Sequence, residues 1–130
     1  MEISLQQAQQ ALQMAIMQAD QLKVPVNIVV LDTAGFLKSF IRMDNALVGS
    51  IDIALQKAKT AMLFRMSSEA VGDFLKPTAG AYGLENTNGG LLGFAGGLPI
   101  LQDDMIIGYI GVSGGAIRQD AAIAAAGSEL

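Results

Sequence analysis

The chain has 130 residues, read as one domain over 1–130, and 52% of them are apolar while only 15% are charged, against about 25% charged in average soluble domains. So little polar surface implies that part of the exterior is covered by further copies of the chain. The net charge is −4 with no Lys or Arg between Pro77 and Ile117, which argues against nucleic acid, and the lack of Cys and His excludes disulfides, thiolate nucleophiles, His-assisted catalysis and the usual zinc sites.

In chain order, Ser4-Leu5-Gln6-Gln7 is a capping-box pattern that predicts a helix start. Leu5, Ala8, Leu12, Ala15, Ile16, Ala19 and Leu22 then recur at helical spacing, with Met14 and Met17 off that stripe. Two readings of those methionines stand: ordinary exposed residues, or part of a subunit contact. Pro25 ends the helix. Val26 to Leu31 reads as a buried strand, Asp32-Thr33-Ala34-Gly35 as a turn and Phe36 to Ile41 as the hairpin partner. Ser50 is expected to cap the next helix, with Asp52 near its positive end. Ile51, Ala54, Leu55, Ala58, Ala61, Met62 and Arg65 make its inner stripe. A short helix over Glu69 to Leu75 stops at Pro77.

Thr78 to Gly97 holds seven of the fifteen glycines and is the least regular stretch. Long irregular segments in small domains are functional or disordered, and Tyr82, Leu84, Leu91, Leu92 and Phe94 weigh against disorder. Leu98 to Gln102, the Asp103-Asp104 turn and Met105 to Ser113 form a second hairpin, and Ala116 to Ala126 a last helix stopped by Gly127. The order α-β-β-α-α-β-β-α predicts an α+β fold, an antiparallel sheet with packed helices of profilin-like or PAS-like build. No apolar run approaches the roughly 18 residues of a membrane span, and the polar, Gln-rich start lacks a basic signal-peptide region. A cytoplasmic location without a membrane partner is therefore expected.

Several residues invite a functional reading beside a plain one. Arg42 and Met43, with Asp44, end the first hairpin; Arg42 suits a carboxylate or propionate partner with Met43 facing a ligand, or else it pairs with Asp44 on the surface. Lys57 and Lys59 point to different helix faces and read as solvated charges, with Lys57 reaching an anionic ligand as the alternative. Tyr82, Glu85, Asn86 and Asn88 bring a phenol, a carboxylate and two amides into the Gly-rich segment, either as pocket lining or beside glycines that serve turns and subunit packing. Ser113-Gly114-Gly115 before a helix reads as a turn more readily than as a phosphate cradle, since the P-loop pattern is absent. Asp103 and Asp104 read as turn residues, since two adjacent carboxylates supply too few oxygens for a hard metal.

Val29-Val30-Leu31-Asp32-Thr33-Ala34-Gly35 and Arg42-Met43-Asp44-Asn45-Ala46 resemble the GlcG/HbpS family. So do Ser50 to Ala54, Lys57 to Ala61, Gly96-Gly97-Leu98-Pro99 and Gly108 to Gly115, so that the similarity covers nearly the whole chain. The family is related to the C-terminal domain of PduO-type corrinoid adenosyltransferases. The resemblance implies a profilin-like domain, usually oligomeric, often found beside small-molecule metabolic operons, with haem bound by some members. Ligation through histidine cannot operate in this chain, which leaves Tyr, Met or Lys side chains, with Met43, Tyr82 and Tyr109 the ones to test, or haem in an apolar groove with weak or no protein ligation.

The expected function is therefore a non-catalytic binding or accessory protein for haem or a corrinoid-related tetrapyrrole, with Arg42, Met43, Lys57, Tyr82, Glu85 and Asn88 as candidate ligand contacts. Two other classes compete with it. One is a small-metabolite enzyme using Glu85, Asp44 or Tyr82 as acid or base; the other is an oligomeric scaffold without a ligand.

Overall fold

The computed structural model describes residues 2–130. The first helix, α1 (Leu5–Leu22), starts as its sequence dictates: the Ser4 hydroxyl accepts from the Gln7 N–H at 3.1 Å and the Gln7 amide accepts from the Ser4 N–H at 2.9 Å. It ends at Lys23, which adopts a left-handed conformation (φ 57°) two residues ahead of Pro25. Its buried stripe is Ala8, Ala11, Leu12, Ala15 and Ala19. Leu5 and Leu22, expected inside, are exposed on the flanks, while Ala11 joins the core because α1 lies against a second helix and tolerates only small residues there.

The first hairpin follows as β1 (Asn27–Leu31) and β2 (Leu37–Arg42). Asp32 Oδ1 accepts from the N–H groups of Ala34 and Phe36, both at 2.9 Å, and Gly35 takes the positive φ that closes the turn. α2 (Gly49–Phe64) begins one residue before the expected cap: Val48 is the N-cap, no side chain caps it, and Ser50 is buried inside the first turn. α3 (Ser68–Leu75) is capped by Ser67. A short 3-10 turn at Leu84–Asn86 interrupts the Gly-rich segment. β3 (Gly97–Gln102) and β4 (Met105–Ser113) are joined through Asp103 and Asp104, both at positive φ as a two-residue hairpin turn requires. α4 (Ile117–Ala126) closes the fold.

The four strands form one antiparallel sheet in the order β2-β1-β4-β3. α1 and α4 cover one face, where Ile28, Val30, Ile107, Ile110 and Val112 meet Ala11, Leu12, Ala15 and Ile123. α2 covers the other, where Val29, Leu31 and Tyr109 meet Ala54, Ala58 and Ala61. The alternation along β1 and β4 thus feeds two cores, which is why every residue of β1 is buried. The α+β architecture expected from the order of elements is the one observed.

α2 lies close to the sheet because two glycines face it. Gly97 and Gly111 are register partners on β3 and β4. A Cβ on Gly111 would collide with the Ala54 carbonyl oxygen, and one on Gly97 with the Lys57 carbonyl oxygen. Gly127 serves a similar close approach at the end of α4, where a Cβ would sit 2.7 Å from Ala11 O. Its φ of −96° is not left-handed, so packing and not conformational freedom selects it.

Candidate functional site

Three open grooves around the packed layers hold candidate residues or neighbours of them. The first lies where α2 ends over β4 and encloses about 630 Å³. Met62, Leu63 and Arg65 come from the end of α2, Thr33 from the β1–β2 turn, and Met105, Ile106 and Tyr109 from β4. Arg65 was expected on the inner stripe of its helix. It is instead the left-handed C-cap (φ 55°), donating its N–H to Ala61 O, and its side chain is exposed beside the groove. Met62 is fixed by the turn, since its terminal methyl occupies the space a side chain at Gly35 would need.

Tyr109 is almost wholly buried among the second core. Burial pushes its phenol above the ordinary tyrosine value, and the Arg65 charge pulls it part of the way back. Arg65 is the one formally charged residue lining this groove. The Glu2 carboxylate stands behind Thr33, held by the Thr33 N–H at 3.2 Å and by its hydroxyl.

The second groove, of about 570 Å³, runs between the end of α1 and the end of β2. It brings Arg42, Met43 and Asp44 together with Asp20 and Lys23 over Ile16, Val24, Pro25 and Ile41. Two cations therefore face two carboxylates. Arg42 does not pair with Asp44; its guanidinium donates to Ala46 O at 3.3 Å. Met43 is half-buried against the first core.

The third groove, of about 470 Å³, lies between α3 and the Gly-rich segment. Gly72 and Gly93 meet backbone to backbone with no room for a side chain on either, which presses the segment onto α3. Leu75, Leu91, Leu92 and Phe94 give it apolar walls, while Glu69, Asp73 and Glu85 make its rim acidic. One Glu85 oxygen is already used, accepting from the Gly83 N–H at 2.7 Å. Tyr82 is 66% exposed and Asn88 is exposed at φ 54°, its amide donating to the Thr87 hydroxyl, and neither lines this groove. Glu85 and Asp44, proposed as alternative acid–base groups, thus line different grooves, and Tyr82 lines neither.

Lys57 is the clearest departure from expectation. It is not a solvated helix charge but is 2% exposed, with Nζ 3.0 Å from Asp120 Oδ2 and donating to Val112 O at 3.1 Å. The other Asp120 oxygen accepts from the Gly115 N–H at 2.9 Å. Burial raises the Asp120 carboxyl above its usual range; Lys57 and the N–H groups of Gly115 and Gly114 act in the opposite direction. Lys57 thus ties α2 to α4 and is closed off from a ligand. A carboxylate from α4 also takes the donor at Gly115 that a phosphate would need, so Ser113-Gly114-Gly115 is a turn. Among the described residues no group of three or more carboxylates is placed to hold a metal ion, and no helix is long and apolar enough to cross a membrane.

A family model described as haem degrading protein HbpS-like matches residues 3–129. A 15.0 kDa protein from the dhaT-dhaS intergenic region of Citrobacter freundii is 39% identical over 123 residues, which is 94% of this chain and 87% of that protein. The corrinoid adenosyltransferase PduO of the same organism is 34% identical over 125 residues, 95% of this chain but 37% of the enzyme, so the chain spans little more than a third of that relative. Among solved structures, the PduOC:heme complex superposes with a TM-score of 0.90 at 34% identity, covering 98% of this chain and 93% of that one.

Proposed function

Since this chain belongs to the HbpS-like family, we propose that it binds haem or a closely similar planar tetrapyrrole, as a binding or accessory protein, in the groove that carries Tyr109 and Arg65. The observation behind this choice is charge. Haem is an apolar disc with two carboxylates, and this groove combines aliphatic and thioether walls with a lone cation and no lining carboxylate. The Phe94 groove presents Glu69, Asp73 and Glu85 against Lys76 alone, and Lys76 is already paired with Asp73 at 3.1 Å. A dianion is repelled there. The Met43 groove is balanced and offers no net attraction. All three volumes fall within the range of about 300–1,000 Å³ usual for small-molecule sites, so size does not discriminate.

The residues present fit the group without histidine. A phenol and two thioethers, Tyr109, Met62 and Met105, surround the Tyr109 groove, and both side-chain types ligate haem iron in other settings. Arg65 holds a propionate, while Leu63 and Ile106 exclude water from the ring. Bound haem would supply the iron centre; the chain supplies burial, a counter-charge and orientation.

Titration of the full chain with hemin, followed by the Soret band, tests the reading. Near-stoichiometric binding is expected. Arg65→Gln should weaken it about 10–100-fold, the worth of a charge-assisted hydrogen bond, with Arg42→Gln and Glu85→Gln unchanged. A flat titration overturns haem binding. Loss of binding in Arg42→Gln with Arg65→Gln intact moves the site to the Met43 groove and overturns the assignment to Tyr109. A parallel cobalamin titration separates a corrinoid from haem.

A further inference from the structure

The groove between α3 and the Gly-rich segment has the opposite electrical character to the one at Tyr109. Glu69, Asp73 and Glu85 stand on its rim, and Lys76 is the one cation among its lining residues. Lys76 is already paired with Asp73, and among the described residues neither Glu69 nor Glu85 takes part in an ion pair. No Lys or Arg occurs between Pro77 and Ile117, a stretch that includes the whole Gly-rich segment. Arg118, exposed beside Ile117, is not among the lining residues. Two carboxylates thus border about 470 Å³ of apolar-walled space without a counter-charge.

The walls are held from behind. Gly72 and Gly93 meet backbone to backbone, the Thr60 hydroxyl accepts from the Leu92 N–H at 2.9 Å, and the Leu91 N–H donates to Glu85 O at 3.0 Å. The fully buried Ser68 hydroxyl donates to Phe94 O and accepts from the Gly97 N–H at 2.9 Å. With its carbonyl tied down in this way, Phe94 remains 53% exposed at the groove. Glu85 is fixed by the Gly83 N–H at 2.7 Å through one oxygen, which leaves the other for a ligand. A carboxylate supplies charge and hydrogen bonds to an ammonium group, and an aromatic ring attracts a cation to its face.

We propose that this groove binds a small organic ammonium ion, an amine carried on an aliphatic or aromatic body, through Glu69, Glu85 and Phe94. Charge complementarity selects that occupant. An anion is repelled by the rim, and a neutral apolar molecule leaves the carboxylates unused. A metal ion lacks ligands, since no group of three carboxylates among the described residues is placed to hold one. An amphipathic cation uses both the rim and the walls, and the volume is that of a small-molecule site.

The test is calorimetric titration of the full chain at low salt with 2-phenylethylamine, a cation at pH 7, as the probe. The same body carrying a hydroxyl or a carboxylate, 2-phenylethanol and 3-phenylpropionate, serves as comparison. An amine dissociation constant of about 5 mM or tighter is expected for so small a ligand, with both comparison compounds weaker. Glu85→Gln keeps an acceptor for Gly83 and should weaken the amine about 10-fold, as loss of a hydrogen bond to a charged group does. Glu69→Gln, at an exposed position, should weaken it about 2–5-fold. Phe94→Leu keeps an apolar wall but loses the ring, and should also cost about 2–5-fold. All three side chains reach solvent, so circular dichroism should be unchanged. Asp44→Asn, in the Met43 groove, should leave the affinity as it was. Amide resonances give the location independently: those of Leu92, Gly93 and Phe94 should move with the amine and stay still with the carboxylate. An amine constant weaker than about 5 mM, equal binding of the alcohol or the carboxylate, unchanged affinity in the Glu69→Gln, Glu85→Gln double variant, or loss of binding in Asp44→Asn overturns the proposal. None of these outcomes bears on hemin binding.

Discussion

Replacing Lys57 by Met tests the buried ion pair between α2 and α4. Met keeps most of the side-chain volume, so the loss is electrostatic and not a cavity. With the ammonium gone, Asp120 Oδ2 loses its partner at 3.0 Å and Val112 O a donor at 3.1 Å, while Gly115 still serves Asp120 Oδ1. Stranding one member of a buried pair costs about 3–5 kcal/mol. With a urea slope of about 1–3 kcal/mol/M, the unfolding midpoint should fall by at least about 1 M at pH 7. Adding Asp120→Asn removes the stranded charge but keeps an acceptor for Gly115, and should restore most of the loss.

The pH dependence carries a definite sign. The folded carboxyl lies above its unfolded value, so between the two the native state holds the extra proton and stability falls as pH rises. Removing Lys57 removes an influence that lowers the carboxyl, so in Lys57→Met the window extends further upward. The deficit relative to wild type should be smallest near pH 4, about the ordinary carboxylate value, and grow toward neutrality. The double variant should show no such slope. A loss below about 1 kcal/mol at pH 7, or a deficit independent of pH, would refute the account of this pair as a buried, mutually dependent contact.

Other substitutions probe the remaining parts. Arg65→Gln should raise the Tyr109 ionisation still further in an alkaline absorbance titration, because the guanidinium is what lowers it; the late phase should vanish in Tyr109→Phe. Gly111→Ala should destabilise by at least about 2 kcal/mol in urea, as overpacking at a rigid backbone contact does, since its Cβ meets the Ala54 carbonyl. Gly49→Ala, with nothing within 4 Å of the added methyl and helical backbone, should stabilise by about 0.5 kcal/mol. Ser4→Ala should cost about 1 kcal/mol by removing the acceptor for the Gln7 N–H.

Much of the fold is legible in local sequence because the devices that set it are local. The Ser4–Gln7 capping box, the Asp32–Gly35 turn and the Asp103-Asp104 turn each act within four residues, and each is found where its pattern lies. Lys57 was misread because its partner is 63 residues away. A signal was nonetheless present: position 57 lies on the same helical face as Ala54, Ala58 and Ala61, where a charge must be paired. Ser50 failed as a cap because Val48 already holds helical dihedrals, so the helix starts before the hydroxyl can reach a free N–H. At the proposed site, Tyr109 could be singled out from its residue type, but Arg65 could not. Its place at the groove depends on a left-handed cap that a periodic pattern extends straight through.

Three features of the fold converge on α2, and its sequence explains why one helix can serve all of them. The small face, Ala54, Ala58 and Ala61, sits down on Gly97 and Gly111, so the helix axis lies nearer the sheet than larger residues would permit. That closeness brings Lys57 within reach of Asp120 and sets Met62 into the gap at Gly35. The helix then stops at Arg65, whose left-handed turn leaves its guanidinium beside the Tyr109 phenol. The same closeness limits how much of the sheet one helix can shade, and β2 is the strand left bare. A larger residue at Gly111 should therefore disturb more than packing. By lifting α2 it should loosen the ion pair and widen the groove together, so that hemin affinity and the pH slope of stability shift in the same variant.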